Sequence, residues 1–550
     1  DPHYKEREKI AKNLSLSLGI SDFLSKLLVS RNITNPEEAD IFLNYPEKRT
    51  YDPFLMQDMS KAVEILKTIK QKKEKIAIFG DYDVDGVTSC AVLYLGMKKL
   101  GFEVTSYIPS RIDEGYSLNE KAIFELKSKG YNNLVTVDCG TTSLKEIDYA
   151  KSLGMRVIVT DHHIPKDELP NADAILNPKR NDCKYPFKDL AGVGVTFKLL
   201  QALFETFDKS LDPFEYIDLV AVGTIADIVS ILSENRYFVI RGIEKLKTNP
   251  TKGLAYLLNE LKIVESEIDS RTIAYKVAPK INAAGRMANA YAAFKLLTLD
   301  DEEKINKAVS DLLKLNSKRQ STEREIYLYA LSLLDLHPEY KDDDVLVLSG
   351  ENWHLGVLGI VASKLSSQLN KPVLMISKSK DICKGSGRSP QGIDLMELLL
   401  KVSEENILEE FGGHKLAAGF SCYSKNIEAL RKSVNKVYKE LYGKKEISYY
   451  LEIDMEIDSI FPNMFEDLEK LEPFGYMNPE PLFLIKNAKI ENFKFFSNGS
   501  QNFSGILRND NSLIVDVLGY DLGINLLNLN WNKRKDLLVD VVGTLDRKST

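Results

Sequence analysis

The chain has 550 residues, 44% hydrophobic and 28% charged, with a formal net charge of −7. That composition belongs to a globular protein of about three or four domains and excludes a disordered chain and a generally basic nucleic-acid coat. No apolar run approaches the ~20 residues of a membrane span, residues 1–25 are unlike a secretory leader, and five scattered cysteines point to a reducing cytoplasm rather than a disulfide framework.

Residues 1–70 read as a helical lead with short helices, one of them over 24–31. From Lys75 short β-branched runs alternate with helical stretches, the signature of βαβ units and a parallel sheet. The predicted strands are 76–79, 104–108, 134–137, 157–160 and 174–176, with helices at 86–100 and 119–129, in a domain spanning 71–300. A helical pattern without Gly or Pro then runs over 301–336, long enough to bridge domains. A second, smaller α/β domain follows over 340–445, with strands at 345–348, 373–376 and near Lys384. Alternating runs at 449–457, 482–496, 512–518 and 537–542 make 446–550 a β-rich third domain. The fold class is therefore α/β with a β-rich end.

The first strand runs into Gly80-Asp81-Tyr82-Asp83-Val84-Asp85-Gly86. In open α/β sheets ligands bind beyond strand C-termini. Asp83 and Asp85 stand two apart in a turn, which lets both carboxylates converge on hard divalent cations. The plain alternative is a turn that caps the next helix. The event then recurs: strand 134–137 ends in Asp138-Cys139-Gly140, and strand 157–160 in Asp161-His162-His163. A separate apolar stretch, 221–229, carries a lone acid, Asp227, which burial tolerates only when it is paired or metal-bound. Taken singly, Asp138 reads as an N-cap, His163 as a core histidine and Asp227 as an ion-pair partner; taken together they argue for a metal centre. Oxygen-rich donors with one or two imidazoles and no thiolate pair favour two divalent cations, Mn²⁺ or Mg²⁺, over structural Zn²⁺. Asp138 is the natural bridge between ions about 3.5–4 Å apart, and the expected reaction is phosphoester hydrolysis.

These segments carry a resemblance. GDYDVDG at 80–86, VDCGT at 137–141, DHH at 161–163 and VGTIADIV at 222–229 resemble the four motifs of the DHH phosphoesterase superfamily. NAAGRM at 282–287, WHLGVLGIVASKL at 353–365, KGSGRS at 384–389, FGGHKLAAGF at 411–420 and LEPFGYMNPEP at 471–481 resemble its RecJ family of single-strand-specific 5′→3′ DNA exonucleases. The resemblance implies a DHH catalytic domain, a DHHA1 substrate-binding domain and an OB-like nucleic-acid-binding domain. It implies metal ligation by Asp83, Asp85, Asp138, His162 and Asp227, with Asp138 bridging, Asp161 orienting a histidine and Asp81 in support. His163 is implied to contact the scissile phosphate or assist proton transfer, the plain alternative being packing behind its neighbour. Arg286 is implied to grip the phosphate beside the metals, with Asn282 nearby; the plain alternative is a surface Arg and a capping Asn. Residues 385–388 read as a small-residue turn whose amides cradle an anion. By resemblance Ser386 and Arg388 help hold the 5′ end of the strand, with Arg111 as a partner. Gly412, Gly413 and His414 match the glycine-rich DHHA1 signature, where backbone approaches nucleic acid closely, the plain alternative for His414 being a structural histidine. In the last domain Phe493 and Phe495 share a strand face and read as barrel core, leaving Phe496 and Phe503 as stacking candidates.

Two departures from the family pattern stand out. Related pyrophosphatases place a His four residues before the first metal-binding Asp, where this chain has Phe79; one ion then has fewer protein ligands and more water. The chain also stops just after a strand-like run where RecJ-like chains continue, which implies an incomplete barrel. The implied activity is digestion of single-stranded DNA from its 5′ end into 5′-mononucleotides, in DNA repair and recombination. A RecQ-type helicase and a single-stranded-DNA-binding protein are implied partners, and nothing in the sequence demands more than a monomer. The rival reading is a DHH phosphodiesterase for short oligoribonucleotides, cyclic dinucleotides or nucleoside bisphosphates, against which the C-terminal β region argues. A non-catalytic replication scaffold is disfavoured by the intact acidic set.

Overall fold

The computed structural model describes residues 4–44, 50–111, 114–115, 117–443, 451–496, 502–509, 513–520 and 537–546. The chain divides into two units, one of residues 51–229 and 238–448, the other of 1–50, 230–237 and 449–550.

In the larger unit, β1 (Ile76–Gly80), β2 (Val104–Tyr107), β3 (Asn133–Val137), β4 (Arg156–Thr160) and β5 (Ala174–Leu176) form a parallel sheet in the order β2-β1-β3-β4-β5. β1 and β3 are buried along their whole length, so helices must cover both faces. Phe79, Leu134 and Val157 pack with Ala122, Ile123 and Ile147 of the helices Glu120–Ser128 and Leu144–Ser152. The helices Val84–Lys99 and Gly192–Phe207 pack on the same sheet, and Ile217–Ala226 packs on both of them. From β1 the chain goes to β2 on one side and returns to β3 on the other. The order reverses there, and the crevice beyond the C-termini of β1 and β3 is where such sheets bind ligands.

The predicted long helix is Glu302–Leu336, capped by the Asp301 side chain on the Lys304 amide. It leads to β6 (Leu346–Glu351), β7 (Val373–Lys378), β8 (Ile382–Arg388), β9 (Leu408–His414) and β10 (Ala417–Tyr423), in the order β6-β7-β8-β10-β9. The helix Leu355–Leu369 packs on β7 and β8. The expected turn at 385–388 is corrected: these residues lie inside β8, paired with β7 and β10. Their amides therefore serve the sheet and do not cradle an anion. The two glycines are there for packing. A Cβ on Gly385 would meet the Phe420 ring at 2.3 Å, and one on Gly387 would meet Leu374 and Leu395 at 2.7 and 2.8 Å.

In the smaller unit, the helices Tyr4–Leu18, Asp22–Ser30 and Pro36–Leu43 share one core with the β-rich region. That region contains β11 (Met455–Glu456), the helix Pro462–Leu471, β12 (Phe483–Phe496), β13 (Asn502–Arg508), β14 (Ile514–Gly519) and β15 (Val539–Gly543). β15 and β13 both pair with β12. Leu24, Leu28, Leu471, Phe483 and Leu507 are buried together, and Phe23 stacks on Phe483 at 5.7 Å between centroids. Phe503 is a second correction: it is 5% exposed and stacks on Phe493 at 4.8 Å, so it is core and not a base platform. Phe496 is 39% exposed. Of the expected features, residues 449, 450, 512 and 547–550 lie outside the described residues.

Arg236 ties this unit together. It is 1% exposed and donates to the carbonyls of Phe42, Leu471 and Lys470 at 3.1, 3.0 and 3.1 Å. Those carbonyls belong to the ends of two helices, where the last turn lacks intrahelical donors. Burial lowers the Arg236 pKa to about 10, which leaves it charged at neutral pH. Arg236→Met is expected to destabilise the protein by about 2–4 kcal/mol in urea unfolding, because it orphans buried carbonyls. A loss below about 0.5 kcal/mol would refute that role.

Candidate metal centre

Carboxylates gather where β1, β3 and β4 end. Asp81, Asp83 and Asp85 lie on the turn out of β1 into the 84–99 helix, Asp138 follows β3, and Asp161, His162 and His163 follow β4. Asp227 is the C-terminal cap of the 217–226 helix. Three sets of donor atoms lie within 4.8 Å of one another: Asp81, Asp83 and Asp138; Asp85, His162 and Asp227; Asp138, His162 and His163. Asp138 and His162 each belong to two sets, so the donors form one continuous cluster. His162 Nε2 stands 3.2 Å from Asp138 Oδ1, 3.5 Å from Asp227 Oδ2 and 3.9 Å from Asp85 Oδ2. Asp81, read from sequence as a supporting acid, thus lies among the donors themselves.

Burial raises the Asp138 pKa well above the carboxylate range, and Asp85, Asp83, Asp227 and Asp81 add repulsion. Burial raises Asp81 and Asp227 likewise, with repulsion from Asp83 and Asp85 respectively. Asp85 is pushed up to about 7 by burial and then by Asp83. Burial and the neighbouring His163 push His162 down to about 3, so its imidazole is neutral. Asp138 Oδ1, His162 Nε2 and Asp227 Oδ2 are buried with no hydrogen-bond partner among the described residues. An imidazole lone pair facing carboxylate oxygens is satisfied by a cation. The donor set fits hard divalent ions.

Other groups aim these donors. Both Asp85 oxygens accept from the first turn of the 192–207 helix, from the Gly192 and Val193 amides at 2.7 and 2.8 Å. A helix N-terminus favours an anion there. Gly192 has no room for a side chain, since a Cβ would lie 2.4 Å from Asp138 Oδ1. Asp83 also makes the capping bond of its plain alternative, accepting from the Gly86 amide at 3.0 Å. Asp161 is fully engaged by the chain. Its Oδ1 accepts from His163 Nδ1 and the His162 and His163 amides, and its Oδ2 from the Thr141 amide. Against the effect of burial, His163 and these amides hold the Asp161 carboxyl well below its usual range, and Asp161 in turn raises His163. Asp161 therefore orients His163. Ile228, directly after Asp227, takes φ +59°. That is the left-handed position glycine usually fills at a helix end, and it costs another residue about 1–2 kcal/mol.

An arginine pocket adjoins the cluster. The helix Ala278–Met287 packs Gly285 against the carbonyl of Tyr82, where a Cβ would lie 2.3 Å from that oxygen. The next residue, Arg286, donates to the Gly356 carbonyl at 3.3 Å. Arg111 lies over the Tyr82 ring, 5.2 Å from its centroid. Arg388 donates to Ser386 Oγ and the Gly387 carbonyl at 3.2 and 2.7 Å, and Gly359 leaves room for both side chains. Burial lowers Arg286 to about 10, with repulsion from Arg111, Arg388 and Arg319. Burial and then Arg111 lower Arg388. These guanidiniums repel one another, an arrangement suited to a polyvalent anion.

Not every expected residue joins these two sites. Register places His414 in one row with Arg388, and Gly412 in one row with Ser386, two strands away or about 10 Å. Directly paired residues share a sheet face, so Gly412 and His414 extend the pocket's face, whereas Gly413 lies on the other. Asn282, half-buried on the Arg286 helix, makes no side-chain hydrogen bond among the described residues. Sequence reasoning missed Gly192, Val193 and Tyr82. The small-residue run Ala191-Gly192-Val193-Gly194 was the available signal of a close approach at a helix start.

Comparison with known families matches residues 75–224 to the DHH family, N-terminal domain, 342–440 to the DHHA1 domain and 451–549 to the RecJ OB domain. The chain is 35% identical to the single-stranded-DNA-specific exonuclease RecJ of Bacillus subtilis (strain 168), over 96% of this chain and 68% of that one. The crystal structure of RecJ from Thermus thermophilus in complex with Mn²⁺ superposes with TM-score 0.80 at 28% identity, covering 98% of this chain and 75% of that one. The Mg²⁺ complex from the same organism superposes with TM-score 0.76 at 27% identity, covering 98% and 74%.

Gly192→Ala is expected to lower Mn²⁺ affinity at least tenfold in isothermal titration without changing the circular dichroism spectrum. Affinity kept within twofold would remove Gly192 from the centre. In EDTA, Asp138→Asn is expected to raise the melting temperature by relieving carboxylate repulsion. Mn²⁺ at a hundred times its Kd should stabilise the unsubstituted protein by about 2.7 kcal/mol. A lower melting temperature for Asp138→Asn in EDTA would contradict this account of the cluster.

Proposed function

Because the chain belongs to the RecJ family of DHH proteins, we propose that it is a metal-dependent exonuclease that hydrolyses single-stranded DNA from its 5′ end to 5′-mononucleotides. The observation that carries the reading is the junction at Tyr82. This residue sits between Asp81 and Asp83 of the donor cluster and touches Gly285 and Arg111 of the arginine pocket. A group that recognises a phosphate thus abuts the group that would hold metal ions.

Asp81, Asp83, Asp85, Asp138, His162 and Asp227 would hold two divalent cations, with Asp138 shared. Bound there, Mn²⁺ or Mg²⁺ supplies Lewis-acid stabilisation of phosphoryl oxygens and a water ionised near neutral pH. The chain does the rest. Asp161 holds His163 by Nδ1, which keeps that ring oriented to contact the scissile phosphate and pass a proton. Arg286 grips the phosphate beside the metals, Arg388, Ser386 and Arg111 bind the terminal 5′-phosphate, and the sheet face continues from Ser386 and Arg388 to Gly412 and His414. With the end held in one place, the next phosphodiester lies at the cluster, so each cut releases one nucleotide. The OB-like region is suited to the strand beyond the cut. A RecQ-type helicase and a single-stranded-DNA-binding protein are fitting partners for a monomer working in the cytoplasm. The rival reading, a phosphodiesterase for very short substrates, leaves the OB-like region without a task.

Incubation with Mn²⁺ and 5′- or 3′-labelled single strands, beside a labelled dinucleotide, tests the reading. Early release of labelled mononucleotide from the 5′-labelled strand alone is expected, and preferential cleavage of the dinucleotide would overturn it. Arg388→Ala removes a charge-assisted contact of about 1.5–3 kcal/mol. It should therefore reduce the preference for a 5′-phosphate over a 5′-hydroxyl about ten- to a hundredfold in kcat/KM. An unchanged preference would take Arg388 out of the end pocket.

A further inference from the structure

Among the described residues 71–300, the two most exposed large aliphatic side chains are Ile164, at 74%, and Ile228, at 70%. Both adjoin the donor cluster. Ile164 directly follows His163, and Ile228 directly follows Asp227. His162 Nε2 stands 3.5 Å from Asp227 Oδ2, so the two chain segments that carry these isoleucines meet at the cluster.

Ile228 is unfavourable in two ways. It exposes an apolar side chain to water, and it is a β-branched residue at φ +59°. The helix Ile217–Ala226 ends at Asp227, and glycine at the next position would supply the left-handed conformation without the strain. Packing within the chain compensates neither cost. An uncommon conformation held beside a functional site points to a use for the side chain.

We infer that Ile164 and Ile228 form an apolar lip at the mouth of the metal centre, against which the face of an unpaired nucleobase packs. The inference rests on the exonuclease reading and deepens it. The donor cluster and the arginines account for the phosphates of a nucleotide. The remaining part within reach of the rim is the base, a planar group whose face is apolar. In a duplex that face is covered by stacking neighbours, so the lip accepts only an unstacked base. It thereby contributes to the selection of single strands by contact.

A single abasic residue walked through the first four positions of a 5′-phosphorylated strand tests this. The unsubstituted protein should show one position at which KM rises about tenfold. Ile228→Gly retains the backbone conformation, and Ile164→Ser shortens an exposed side chain. Each should raise KM several-fold on the intact strand and show less than a twofold further rise at that abasic position. Mn²⁺ affinity by isothermal titration should stay within twofold in both variants. The lip is overturned if either variant keeps the full abasic penalty, or if Ile228→Gly loses Mn²⁺ affinity, which would trace its effect to Asp227. If the unsubstituted protein cuts no single strand, the exonuclease reading fails separately. Fluorescence anisotropy of the same strands in EDTA, where nothing is cut, then decides the lip: the same abasic penalty in affinity supports it, and equal affinities overturn it.

Discussion

Burial of several carboxylates side by side is the constraint around which the larger unit is arranged. Asp81, Asp85, Asp138 and Asp227 share one low-dielectric crevice, where burial and then mutual repulsion penalise the charged form of each. The fold supplies only partial relief. The N-terminus of the 192–207 helix faces Asp85, and its amides occupy one lone pair on each oxygen. Asp85 Oδ2 also stands 3.9 Å from His162 Nε2. Asp161, in contrast, is saturated by four donors of the chain and stays charged. Asp85 beyond β1 and Asp161 beyond β4, two strand ends of one sheet, therefore have opposite duties, set by how many donors each one meets.

Positive charge is arranged to match. Arg286, Arg111 and Arg388 come from three separate stretches of sequence and meet beyond Tyr82, so the crevice has an acidic half and a basic half. Two bound dications offset four of the acids, and the net charge of −7 ceases to argue against a polyanionic substrate. Glycines set the spacing of the halves. At Gly192, Gly285 and Gly359 a methyl group would strike a donor, a carbonyl or a guanidinium.

Much of this was legible in the sequence because strand ends announce themselves. β-Branched runs followed at once by Asp identified β1, β3 and β4 and the acids beyond them. The lone Asp227 stood out against apolar neighbours. What stayed hidden depended on tertiary partners. The amides of Gly192 and Val193 carry no side-chain signature, and their role follows from a helix start meeting Asp85, 107 and 108 residues away in sequence. The KGSGR segment looked like a turn because glycines usually mark one. Here they make room for Phe420 and Leu395, a requirement visible only across the sheet. Phe503 was misjudged for a similar reason, since its partner Phe493 lies across a strand pairing that sequence alternation alone does not fix.

The smaller unit has a consequence for how the protein is made. Its core joins Leu24 and Leu28 to Leu471 and Phe483, and Arg31 bonds Asn478, 447 residues further along. At about 5–20 residues per second, the ribosome takes on the order of half a minute to a minute and a half to supply those partners. The first helices emerge early with their apolar faces uncovered, while the βαβ sheet behind them assembles from nearer contacts. These helices thus fold after the sheet that follows them. Until Leu471 and Phe483 are made they are a natural client for a chaperone, and a chain cut short before Leu471 leaves them without a core.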